Sequence, residues 1–113
     1  AAPLPLLPDV PLRVRPAAMD EAAQIAGCLA ALGYDAPAAP VADRLAHVAT
    51  SAADTVFVAG DGPGGALVGV ASAHALPLFH APGALVRLTA LAVRDRARGR
   101  GVGRALVHAV ETW

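Results

Sequence analysis

The sequence predicts an α/β protein of the α+β kind, with a mixed, mostly antiparallel sheet flanked by helices. Three observations lead there. An alternating strand pattern is followed by two helical stripes, three strand patterns then succeed one another, and a last helical stripe closes the chain. A parallel α/β fold would interleave strands and helices, and an all-β fold would have no stripes, so this order fits neither. With 113 residues, 56% of them apolar, the chain is sized for one domain with one core, expected over residues 11–113.

Residues 1–10 are apolar and proline-rich without a basic leading region, so a flexible lead-in is expected there and neither a membrane span nor a signal segment. Leu12, Arg13, Val14 and Arg15 alternate as in a half-buried strand, closed by Pro16. From Asp20 to Leu32 the apolar residues Ile25, Cys28, Leu29 and Leu32 follow helical spacing, with Gly33 as the stop. Residues 35–40 read as a Pro/Ala linker, after which Val41, Leu45 and Val48 mark a second helix. Strands are expected at 55–59, 66–75 and 84–93. Residues 61–65 have hairpin-turn chemistry and residues 80–83 form a second turn, giving an antiparallel meander. Residues 94–100 form a charged loop before a helix that starts near Gly101 and carries Val102, Leu106, Val110 and Trp113 on one face.

Formal net charge is zero, which argues against a general nucleic-acid or acidic-membrane binder, but the charge is unevenly placed. Residues 1–86 carry three arginines against seven acids, whereas residues 87–113 carry six against Asp95 and Glu111. A local excess of this kind suits one bound anion. The chain has no lysine, so arginine forks must supply the contacts, and these match phosphate oxygens. Gly99, Gly101 and Gly103 let the backbone approach a bulky anion, and the following helix aims its unbonded N–H groups at the same spot. Arg98, Arg100 and Arg104 surround it. A diphosphate fits best. The spacing lacks the third glycine of a dinucleotide fingerprint, and a P-loop would need a lysine.

The run Arg98-Gly99-Arg100-Gly101-Val102-Gly103 resembles the Arg/Gln-x-x-Gly-x-Gly/Ala signature of the GNAT N-acetyltransferase superfamily, and Leu91-Ala92-Val93 and Arg104-Ala105-Leu106 resemble its flanking strand and helix. The order of elements before the signature is similar too, so the resemblance covers Leu12 to Trp113. It implies that backbone amides over Arg98, Gly99, Arg100, Gly101, Val102, Gly103 and Arg104 bind the pyrophosphate of acetyl-CoA. It further implies that Leu91, Ala92 and Val93 splay at a bulge, pair with the pantetheine arm and polarise the thioester carbonyl. A primary amine of a small molecule or a protein would attack directly, with no acyl-enzyme. Apart from the resemblance, Cys28 is the only cysteine, so no intrachain disulfide can form and a cytoplasmic location is the default expectation. Specificity in the family comes from the first two helices and their loop, here residues 20–49.

Many members carry a glutamate on the strand before the signature to deprotonate the ammonium. The matching positions here hold Arg87 and Thr89, which leaves His74, His80 and Thr89 as candidate catalytic residues. The acids show no local pairing with the histidines at 47, 74, 80 and 108, and these have no metal-ligand spacing, so no metal is expected. His47 and His108 read as solvated. Cys28 lies on an apolar stripe and reads as core, not nucleophile. The resemblance places a further strand, helix and hairpin after this helix, with the tyrosine that protonates the thiolate, a role Tyr34 does not match. The expectation is therefore a truncated domain whose open sheet edge at residues 84–93 pairs with a second copy, takes a segment from a partner, or continues into a longer chain. Competing readings are a CoA-binding module without catalysis and a fragment that folds only with a partner.

Overall fold

The alternating segment forms β1 (Arg13–Pro16), and a 3-10 turn over Met19–Glu21 leads into α1 (Ala22–Ala30). The structure is a computed structural model and describes residues 12–35, 37–60 and 66–113. The second helix, α2, spans Ala38–Ala49, which corrects the linker expected at 35–40. Pro40 sits in its first turn, where the missing N–H would have had no intrahelical partner, so this proline does not delay the helix.

Three strands follow: β2 (Asp54–Gly60), β3 (Leu67–Pro77) and β4 (Ala84–Val93). The expected hairpin loop at 61–65 lies outside the described residues, but the antiparallel register from Asp54↔His74 to Gly60↔Leu67 is that of a hairpin. A 3-10 turn over Asp95–Ala97 then leads to α3 (Val102–Thr112). The sheet order is β1-β2-β3-β4, and every pairing among the described residues is antiparallel.

Helices cover both faces of this sheet, so alternate strand residues enter two different cores. Val58 and Val70 pack with Ile25 and Cys28 of α1 and with Val41 and Leu45 of α2. On the other face Ala59, Ala71 and Ala73 pack with Val102, Leu106 and Val110 of α3. Ala59, Gly69, Ala71 and Ala73 under α3 are small, which lets the helix come close. At Gly69 a Cβ would stand 2.9 Å from Val102 Cγ1 and 3.0 Å from Leu106 Cδ1. Full burial of a side chain such as Leu106 contributes about 1.5–3 kcal/mol.

Two register shifts shape β3 and β4. Val68 is skipped between the pairs Ala59↔Gly69 and Gly60↔Leu67, so Val68 and Gly69 both turn toward α3. Thr89 is skipped between Ser72↔Ala90 and Ala73↔Leu88, so Thr89 and Ala90 both turn toward α1 and α2. The irregularity expected within residues 91–93 thus falls at Thr89. Leu91, Ala92 and Val93 pair regularly with Ala71, Val70 and Gly69.

Candidate active site

The glycine-arginine loop is pinned at both ends. Arg94 donates its backbone N–H to the Val68 carbonyl at 2.8 Å and its Nε–H to the Leu67 carbonyl at 3.0 Å, which fastens the end of β4 to the start of β3. Its guanidinium also reaches the Gln24 carbonyl of α1, and a Cβ at Gly27 would collide with it. Ala97 and Val102 are buried in the α3 core. Between them Gly99 and Gly101 have φ of 84° and 78°, a left-handed conformation that other residues adopt only under strain. Nothing stands within 4 Å of where a Cβ would lie at either glycine.

Gly101 caps α3, and the first intrahelical amide bond runs from Ala105 to the Gly101 carbonyl at 3.0 Å. The amides of Val102, Gly103 and Arg104 therefore lack an intrahelical acceptor. No side chain caps this end and no acid lies in the first turn, so no carboxylate competes for the positive end of the helix. The guanidinium of Arg98 is drawn back, with Nη1 3.2 Å from the Asp95 carboxylate and Nε–H donating to the Val93 carbonyl at 3.4 Å. The pair is exposed and weak.

The second feature is a cavity of about 390 Å³ between the α1/α2 layer and strands β2 to β4. Ile25, Leu29, Leu45 and Val56 form its apolar side. Its polar side holds Arg44, Asp54, Ser72, His74, Arg87 and Thr89. Thr89 and Ser72 share a hydrogen bond between their hydroxyls at 2.6 Å, across the register shift. Asp54 accepts from Ser51 at 2.7 Å and is bonded to His74 Nδ1 at 2.7 Å. These bonds, from Ser51 first and His74 second, hold the Asp54 carboxyl below its ordinary range.

Of the residues singled out in the sequence, His74 and Thr89 meet at this cavity, joined by Arg87. His80 lies on the exposed turn after β3 and does not line it. The absence of local acid–histidine pairing in the sequence does not extend to the fold, where Asp54 meets His74. Asp54 and His74 are 20 residues apart in sequence, and only the β2–β3 register brings them together. His47 adds its Nε2 at 3.7 Å from Asp54 and is mostly exposed. Arg44 and Asp54 were not singled out, since nothing local marks them. Cys28 is fully buried, and burial raises its thiol pKa, as suits a core residue. Among the described residues no cluster could hold a metal ion, and no helix is long and apolar enough to cross a membrane.

The strand that borders the cavity at Thr89 and Ala90 ends at the pinned loop, and this sheet with helices on both faces is an acetyltransferase fold. It is similar to an acetyltransferase of Trypanosoma brucei, at 24% identity over 90% of this chain and 73% of that one, with a TM-score of 0.76. The glucosamine-6-phosphate N-acetyltransferase of Arabidopsis thaliana shares 16% identity over 90% and 73% of the two chains, also at 0.76. The ribosomal-protein-alanine N-acetyltransferase of Brucella melitensis biovar Abortus 2308 shares 21% over 90% and 70%, at 0.66. At these identities the likeness is one of fold. No curated protein sequence matches the chain. Residues 31–113 match the acetyltransferase (GNAT) family, and the chain belongs to that family. Its class of chemistry is acetyl transfer.

Proposed function

We propose that the chain transfers an acetyl group from acetyl-CoA to a primary amine by direct attack while both substrates are bound. The observation that carries this is β4, a single strand that borders the cavity at Thr89 and Ala90 and runs into the anion loop after Val93. From Thr89 to Val93 it spans about 13 Å at the usual strand rise, so an extended arm can lie along it with its diphosphate at Arg98–Arg104. The amides of Val102, Gly103 and Arg104 and the arginines at 98, 100 and 104 then take the phosphates. Among the described residues β4 is the last strand of the sheet, so every second amide over Leu91, Ala92 and Val93 faces its outer edge and is available to the thioester carbonyl. The acceptor amine enters from the cavity, whose volume suits a small molecule or one side chain. The names of two similar proteins point to both acceptor kinds, glucosamine 6-phosphate for one and a ribosomal protein for the other.

At the other end of β4, over Ala84–Leu88, the edge that has no neighbouring strand among the described residues is the place where a further strand pairs, clear of the amides at 91–93, and a second copy of this chain is the partner we assign to it. Thiol release from acetyl-CoA, followed with a panel of amines, tests the catalytic reading. Acetyl-CoA binding without thiol release from any amine would leave only a binding module.

A further inference from the structure

We propose that the His74 imidazole, held in place by Asp54 and Ser51, takes the proton from the acceptor ammonium. This rests on the acetyl-transfer reading above. Asp54 and His74 are direct partners in the antiparallel β2–β3 register, which brings their side chains together on the cavity face. Asp54 Oδ1 lies 2.7 Å from His74 Nδ1, and Asp54 Oδ2 accepts from the Ser51 hydroxyl at 2.7 Å. Both carboxylate oxygens are thereby engaged, which fixes the orientation of the group.

A carboxylate only accepts, so the proton of a neutral imidazole sits on Nδ1 and the lone pair on Nε2. Nε2 has no hydrogen-bond partner among the described residues, and His74 lines the cavity. That is the state a general base requires, a ring held by its acidic partner and open on its other nitrogen. The other candidates lack it. The Thr89 hydroxyl is bonded to Ser72, and His80 is outside the cavity.

The charged and titratable groups around this imidazole come from three elements. They are Asp54 of β2, Arg44 and His47 of α2, and Arg87 of β4, the register partner of His74. Two guanidiniums favour loss of the proton from an ammonium bound in the cavity, and the Asp54 carboxylate beside Nδ1 offsets their effect on the imidazolium that forms.

In the step itself, an ammonium proton passes to Nε2 of His74. The freed nitrogen pair forms the C–N bond at the thioester carbonyl carbon. Collapse of the tetrahedral adduct breaks the C–S bond, and sulfur takes the electron pair and then the second nitrogen proton. Amide and CoA thiol leave, and the imidazolium returns its proton to solvent.

The test uses the full chain with acetyl-CoA and three acceptors: an aminosugar phosphate, an aminoglycoside and a peptide with N-terminal alanine. His74→Ala should lower kcat/KM by roughly 10²–10⁴ with each acceptor that the native chain acetylates. Acetyl-CoA affinity by calorimetry should be unchanged, and added imidazole should restore part of the rate. Asp54→Asn should lower the rate too, and the double variant should be no slower than His74→Ala alone, since the two act as a unit. On the native chain, ¹⁵N NMR should show the His74 Nδ1–H tautomer. An Nε2–H tautomer, or a native rate in His74→Ala, would overturn the role of His74 as base and leave acetyl transfer standing. A native chain that neither binds acetyl-CoA nor releases thiol would overturn both.

Discussion

Arg15 grips Glu21 with both guanidinium nitrogens, at 2.8 Å and 2.6 Å, while the Ala18 amide donates to the same carboxylate at 2.7 Å. The Glu21 side chain is only 10% exposed and Arg15 is 47% exposed, so the acid is the member that needs the pair. The bonds from Arg15 hold the Glu21 carboxyl below its ordinary range, against the opposing effect of burial. Its folded-state pKa is thus below its unfolded value. The stabilisation is complete above the ordinary carboxylate range and is lost as pH falls through the lowered value. Arg15→Ala should cost about 1–3 kcal/mol at neutral pH, toward the lower end because Arg15 is half in water. Urea midpoints of the two proteins should converge in acid, where the native chain has lost the same contribution.

Gly69→Ala should destabilise the fold by about 1–3 kcal/mol through overpacking. The added methyl meets Val102 and Leu106 on one side and the Ala92 carbonyl oxygen, at 3.3 Å, on another, so no single side chain can yield to it. Thermal melts are the measurement, and an unchanged midpoint would show that α3 can lift off the sheet without loss.

At the loop, Gly101→Glu and Gly103→Glu should each abolish CoA binding in calorimetry. A carboxylate at the start of α3 repels the phosphates that the exposed amides are proposed to hold. Gly101→Ala separates backbone from charge. It forces a Cβ onto a left-handed residue, at a cost of about 1–2 kcal/mol, and should lower stability more than affinity.

Arg98→Glu should weaken CoA binding and flatten its salt dependence, although the native guanidinium is already drawn toward Asp95. Charge-assisted contacts contribute about 1.5–3 kcal/mol, enough to outweigh an exposed i,i+3 pair. Arg13→Glu is the control. Arg13 lies on β1, three strands from β4 in the sheet order, and belongs to neither the loop nor the cavity lining. Arg44 cannot serve as one because it lines the cavity. Equal losses at Arg98 and Arg13 would mean that general attraction governs binding.

The outer edge of β4 should associate. Leu85, Val86 and Leu88 on this strand are exposed, beside backbone groups with no neighbouring strand among the described residues. Sedimentation of the 113-residue chain should show a concentration-dependent dimer, and Val86→Lys should shift it toward monomer. A monomer at every concentration, with a cooperative melt and no dye binding, would remove the case for pairing at this edge.

Features written in neighbouring residues were legible before any fold was known. The bounds of β4 follow from the turn at 80–83 and the charged run after Val93. The anion loop follows from glycine spacing, and the buried stripe Val102, Leu106 and Val110 from helical period, since each reports on conformation within a turn or two. Pro40 misled only because its effect depends on where in a helix it falls. Asp54 and His74 stayed hidden for a different reason. Their contact depends on the register between β2 and β3, where a slip of one residue would turn one of them to the α3 face. The unpaired Thr89 and the reach of Arg94 back to Leu67 likewise arise between strands, so the loop was readable in the chain and the cavity chemistry emerged only when the strands paired.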